Sequence, residues 1–195
     1  MTVGLHNLIK RPTGIFTALE LQFQPVSVCA GRKPSLRGSN MSNFKLSQRS
    51  LDRIEGIDEE LHALVCAAIH NTPYDFGIPH LGGLRTIEEQ RKLKESGASK
   101  TMKSKHLEGD AFDFMVFLGP RVCWELKFYD DVGDAIVKTA RELGIKQLKW
   151  GGAWHIDNIL DWNGTLLEAH NAYVKLRVDQ GRTPFVDMPH FQKGV

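Results

Sequence analysis

The stretch Ser104–Phe114 reads S-K-H-L-E-G-D-A-F-D-F, and its last residues open a longer apolar run, A-F-D-F-M-V-F, from Ala111 to Phe117. In an extended chain Ala111, Met115 and Phe117 fall on one side and Phe112, Phe114 and Val116 on the other, because successive side chains alternate. Apolar residues on both sides predict a strand covered on both faces. Asp113 lies in the middle of that run. A carboxylate there costs several kcal/mol unless a partner compensates it, so the partner of Asp113 decides what this part of the chain is for.

One candidate partner is a metal ion shared with His106. The two residues would lie ~23 Å apart on a strand and ~10 Å apart on a helix. Neither distance lets both reach one ion at ~2 Å. Gly109 stands between them and permits a tight turn, so the spacing allows a shared metal if the chain folds back there. The alternative pairs Asp113 with a lysine or a hydroxyl and leaves His106 as a loop histidine beside Lys100, Lys103 and Lys105. The H-x6-D spacing alone does not choose between them.

Around this stretch the chain of 195 residues predicts one sizeable core. No apolar run approaches the ~18 residues of a membrane span, so stable membrane insertion is not expected. Cys29, Cys66 and Cys123 form no C-x-x-C pair and no even framework, which disfavours a disulfide scaffold or a cysteine-rich zinc module. Residues 1–40 hold five basic residues and one acid, while the remainder holds 20 basic and 22 acidic residues. The body therefore has no global basic character, and nucleic acid is not an expected partner.

Residues 1–40 show no sustained period and are expected to be a flexible or non-native N-terminal extension. Glu20 and Gln22 interrupt the apolar segment from Ile15 to Phe23, so no signal peptide is expected. From Met41 onward the pattern becomes regular. Leu61, Leu64, Val65 and Ala68 form a helical stripe. Phe76–Leu84 looks like a strand broken by Pro79 and Gly82-Gly83. Thr86 caps a helix from Ile87 to Glu95. Helices are also predicted over Asp131–Leu143 and Thr165–Leu176, and short strands over Gln147–Trp150 and Met188–Gln192. The whole predicts an α+β fold, a single compact domain over 41–195 with a small, mostly antiparallel sheet flanked by helices.

Ser104, His106, Gly109, Ala111 and Asp113 together spell S-x-H-x-x-G-x-A-x-D. That pattern resembles the zinc peptidases that include D-alanyl-D-alanine carboxypeptidases and phage L-alanyl-D-glutamate endopeptidases. Three further stretches fit: G-L-R-T-I-E-E-Q with Arg85 and Gln90, L-K-W-G-G-A-W from Leu148 to Trp154, and D-M-P-H-F-Q with Asp187 and His190. The resemblance implies that His106, Asp113 and His190 hold Zn2+ and leave a fourth position open, as a catalytic zinc requires. It implies Asp187 as general base. Arg85 would stabilise the oxyanion or hold a substrate carboxylate, unless it is a surface arginine paired with Glu88 or Glu89. Ser104 would orient the loop around the ligands, and Gln90 receives no catalytic role. Trp150 and Trp154 suit the core and the cleft wall equally. Asp187 must occupy a bend before His190, because positions three apart on a strand face opposite sides.

Residues 155–186 look like an insert relative to compact phage members. They carry His155, Asp157, Asp161 and His170 as competing ligand candidates. Position 153 is alanine, where an acid is frequent in those members. The expected function is a zinc-dependent peptidoglycan peptidase of the phage endolysin type, cutting the L-alanyl-D-glutamate bond of the stem peptide. The alternatives are a D-alanyl-D-alanine carboxypeptidase of the same fold and a non-catalytic wall-binding module. The expected enzyme is a monomer, stored in the host cytoplasm and released to the wall.

Overall fold

The structure is a computed structural model that describes residues 43–194; the extension expected at 1–40 lies outside the described residues. Five helices and two three-stranded antiparallel sheets alternate along the chain. They run α1 (Gln48–Ile54), α2 (Glu59–Ala68), β1 (Asp75–Gly77), α3 (Ile87–Glu95), β2 (Ala111–Asp113), β3 (Met115–Leu118), β4 (Arg121–Cys123), α4 (Leu126–Glu142), β5 (Lys149–Trp150), α5 (Leu166–Asp179) and β6 (His190–Gln192). The sheets have strand orders β1-β3-β4 and β2-β6-β5. This is the α+β arrangement that the sequence predicts.

Local signals set the helices. Asp58 caps α2 by accepting from the Glu60 and Leu61 amides, and all four stripe residues, Leu61, Leu64, Val65 and Ala68, are buried. Thr86 with Glu89, and Thr165 with Glu168, form reciprocal capping boxes at α3 and α5. Helix α4 starts five residues before its expected first residue, and no side chain caps its N-terminus. With no capping signal at Glu125, the sequence pattern picks up the helix only where its apolar stripe becomes regular.

The run Ala111–Phe117 is buried on the side of Phe112, Phe114 and Val116 but only half-buried at Met115 and Phe117, and it is not one strand. It changes sheets at Phe114, whose amide donates to the Pro189 carbonyl at 3.1 Å, while the Asp113 amide donates to the Gly82 carbonyl at 2.7 Å. Both halves feed one core. Phe112 stacks on Phe191, and Phe114 packs against Phe76, Tyr129 and Phe191. Burying each such ring contributes on the order of 1.5–3 kcal/mol. The strand expected over Phe76–Leu84 shrinks to β1, because the chain turns at Pro79, where the Gly82 amide donates to the Pro79 carbonyl at 3.0 Å.

Asp130 on α4 is buried, and neither of its carboxylate oxygens meets a hydrogen-bond donor among the described residues. Burial, reinforced by Asp134 and Asp131, pushes its pKa up to about 7. The folded chain thus keeps a proton that the unfolded chain releases near ~3.9. Stability from this group is fully present below that value and is lost as pH rises through about 7. Asp130→Asn removes the dependence, so its melting temperature should gain on that of the wild type between about pH 5 and about pH 8. A difference that stays constant across that interval would acquit Asp130.

Candidate metal centre and substrate cleft

Three consecutive carbonyls hold the site residues. Leu81 adopts a left-handed conformation with φ 61°, which costs a residue bearing a Cβ roughly 1–2 kcal/mol. Its carbonyl accepts from Arg85 Nε at 2.5 Å. The Gly82 carbonyl takes the Asp113 amide, and the Gly83 carbonyl accepts from His106 Nδ1 at 2.8 Å. The Arg85 amide closes the loop by donating to the His106 carbonyl at 2.9 Å. Glycine is required at 83, since a Cβ there would run into the Arg53 carbonyl.

His106 sits in a single 3-10 turn, Lys105–Leu107, and Gly109 follows at φ 75°. That is the fold-back the H-x6-D spacing needs. His190 arrives from the other end of the chain, directly opposite Asp113 in the β2–β6 pairing. The Asp187–His190 turn fixes its approach: the His190 amide donates to the Asp187 carbonyl at 3.1 Å, and the Asp187 amide to the Gly151 carbonyl at 2.9 Å. Asp187 therefore occupies the bend that the sequence demands.

The three residues converge. His106 Nε2 lies 3.2 Å from Asp113 Oδ1 and 3.2 Å from His190 Nδ1, and His190 Nδ1 lies 2.9 Å from Asp113 Oδ1. Behind them, His106 Nδ1 donates to the Gly83 carbonyl, and His190 Nε2 to Gln192 Oε1 at 3.0 Å. In the neutral imidazoles these bonds leave the lone pairs of His106 Nε2 and His190 Nδ1 facing Asp113 Oδ1. Three acceptors in mutual contact suit a shared cation, either a proton on an imidazole or a metal ion between them. Ligands of a tetrahedral zinc at ~2.0–2.1 Å stand ~3.3 Å apart, so the donor set fits such an ion within a few tenths of an ångström. Among the described residues this is the cluster able to hold a metal.

The second oxygen of Asp113 answers the question of its partner. Arg85 Nη2 donates to Asp113 Oδ2 at 2.5 Å, with both side chains largely buried. Burial pushes the Asp113 carboxyl up, but His106 and His190 overcome it and hold the pKa well below the ordinary range. Burial opposes a charge on His190, and Asp113 and Asp187 outweigh it and raise its pKa. Burial, followed by the Asp113 carboxylate, pushes Asp187 up to about 6. Asp187 lines the same cleft but stands outside the ligand cluster.

The comparison with known proteins joins this geometry. Residues 41–170 match the family of phage L-alanyl-D-glutamate peptidases. The chain belongs to that family. It is 32% identical over 117 residues to the L-alanyl-D-glutamate peptidase of Escherichia phage T5, covering 58% of this chain and 83% of that protein. It is 42% identical over 77 residues to the L-alanyl-D-glutamate peptidase of Listeria phage A118, covering 38% of this chain and 26% of that one. Among solved structures it resembles the Serratia marcescens L-Ala D-Glu endopeptidase ChiX, with 27% identity and a TM-score of 0.54 over 75% of this chain and 86% of that one. The matched segment carries Arg85, His106 and Asp113, and β6 and its preceding turn add His190 and Asp187 from beyond it.

In this member of the phage peptidase family the competing ligand candidates are engaged elsewhere. His155 stacks on Tyr173, Asp157 pairs with Lys149, Asn158 donates to Asp161, and His170 faces the Gly152 carbonyl. Trp150 is core, its indole donating to the Met188 carbonyl, while Trp154 lines the cleft beside Phe185 and His190. Arg85 pairs with neither Glu88 nor Glu89: the former meets Arg91 and the latter caps Thr86. Ser104 holds the ligand turn through its carbonyl, which accepts the Leu107 amide at 3.0 Å, and its side chain makes no cap. Sequence reasoning named Gln90 without giving it a role, and it missed the carbonyls of residues 81–83. Gln90 is fully buried. It accepts from Arg85 and donates to Ser99 Oγ and the Thr101 carbonyl at 2.8 Å each. The visible signal for the carbonyls was Gly82-Gly83, read only as a strand break.

Two substitutions test the construction. Asp113→Asn leaves Arg85 without its counter-charge, which costs about 3–5 kcal/mol for a buried pair. The variant should melt well below the wild type and bind less than one equivalent of metal; unchanged melting with full metal content would refute the account. Gly83→Ala should lower both melting temperature and metal content, through the clash with Arg53 and the displaced carbonyl behind His106.

Proposed function

We propose that the chain is a zinc-dependent peptidoglycan hydrolase that cuts the L-alanyl-D-glutamate bond of the stem peptide, with His106, Asp113 and His190 as the zinc ligands. The observation that carries the reading is the trio of facing acceptors in a chain of this peptidase family. Zinc in that position supplies Lewis acidity and draws the pKa of a water towards ~7. Asp187, placed in the cleft by its turn, takes the proton of the attacking water and passes it to the leaving amine. Arg85 orients Asp113. Of its five N–H donors three are engaged, and the remaining two serve the carbonyl oxygen as charge develops there.

The working protein is proposed to be a monomer, held in the host cytoplasm until it is released to the wall. Among the described residues no helix is long and apolar enough to cross a membrane. The peptidase domain is assigned to 41–195, with 155–186 as an insert and 1–40 as a dispensable extension. The family match beginning at residue 41 supports that boundary. A chain starting at Met41 should hydrolyse wall material as the full chain does, and a large fall in melting temperature on truncation would overturn the assignment.

Mass spectrometry of digested sacculi tests the bond. Release of stem peptides with L-alanine left on the glycan is expected, whereas release of D-alanine alone would establish a carboxypeptidase. Chelation should abolish lysis and zinc should restore it. Asp187→Ala should keep about one equivalent of zinc while losing ~10²-fold or more in rate. Loss of the zinc would instead move Asp187 into the ligand set.

A further inference from the structure

The cleft has a volume of about 950 Å3 and two unlike walls. On the His190 side stand the rings of Trp154 and Phe185. On the Arg85 side runs the loop 98–105. Buried Gln90 ties this loop to Arg85, the Ser99 amide donates to the Leu93 carbonyl at 2.9 Å, and Thr101 Oγ1 accepts the Lys103 amide at 2.8 Å, so the loop backbone is held at residues 99, 101 and 103.

Two cations ride on this anchored loop. Lys100 and Lys103 line the cleft and are exposed, and neither ammonium meets a carboxylate among the described residues. The other basic side chains nearby are already matched, and the unpaired carboxylate in the cleft, among the described residues, is that of Asp187. Lys105 is held by Glu108 and Asp110, and Arg85 by Asp113. A rigid loop that presents unmatched positive charge to a substrate cleft attracts an anionic group of the substrate.

We infer that Lys100 and Lys103 form a subsite for the free carboxylate of the substrate's glutamyl residue. The inference rests on the proposed function and deepens it. A glutamyl residue joined to its neighbours through its amine and one carboxyl keeps the other, which is ionised at neutral pH because its pKa is near ~4.3. The scissile bond is the one at the glutamyl nitrogen, so this carboxylate lies within a residue's reach of the metal ligands. Wall peptides in which that carboxyl is amidated lose the interaction, and the subsite therefore makes the enzyme selective between the two forms.

The test uses two soluble peptides, acetyl-L-alanyl-D-glutamyl-L-lysinamide linked through the glutamyl side chain, and its counterpart with the one remaining free carboxyl, that of the glutamyl residue, converted to a carboxamide. The wild-type full chain and the K100Q/K103Q variant are compared on both. On the carboxylate peptide the variant should raise KM about fivefold with kcat unchanged, the scale of an exposed ion pair. On the carboxamide the two proteins should be equal. Salt should weaken only the wild type on the carboxylate peptide, and K100R/K103R should restore its preference. Equal losses on both peptides, no loss on either, or a loss confined to intact sacculi would overturn the subsite. A wild type that cleaves neither peptide would remove the proposed function and the subsite with it. Stem peptides released from sacculi by a wild type that ignores the carboxyl group would remove the subsite alone.

Discussion

Everything in the site is referred to one buried carboxylate. Asp113 offers one oxygen to two imidazoles and the other to a guanidinium. It lies where the apolar run changes sheets, so its backbone is held between Gly82 on one side and the β2–β6 pairing on the other. A charge so placed is tolerated because the attraction of its partners exceeds its loss of hydration. The same attraction makes the position exacting. Removing either Arg85 or the histidine pair leaves a largely buried charge only half compensated rather than an empty space.

The scaffolding around that carboxylate is mostly backbone. The carbonyls of Leu81, Gly82 and Gly83 meet Arg85, Asp113 and His106 in order. A strained Leu81 persists because its neighbours overdetermine it. Side chains in this shell are few; Gln90 reaches Arg85 on one side and the lysine-bearing loop on the other. The candidate metal site and the cationic wall are thereby joined through a single buried amide side chain.

Sequence made part of this legible. Asp113 in an apolar run was an energetic anomaly that demanded a partner, and Gly109 marked the fold-back towards His106. Helical stripes and capping residues located α2, α3 and α5 because those signals are local. The assignments of His190, Asp187 and Arg85 rested on resemblance, since the contacts that bring them together span the chain. What stayed hidden has a physical reason. Carbonyl acceptors belong to every residue and leave no mark on composition. A strand that changes sheets has the same alternation as one that does not. The start of α4 carries no cap to announce it.

The turn from Asp187 to His190 sets the proposed base and the candidate ligand as one body. The Asp187 amide and carbonyl are both taken, by Gly151 and His190, and the Gly151 amide in turn donates to the His190 carbonyl at 2.9 Å. A Cβ at 151 would strike the Asp187 carbonyl, so glycine is what allows the two segments to approach. Pro189 lends its carbonyl to Phe114 and needs no donor of its own. With its backbone fixed at both ends, Asp187 holds its carboxylate in the cleft without an ion pair to restrain it among the described residues. The main chain does the positioning here, and it leaves the carboxylate free for the proposed role of base.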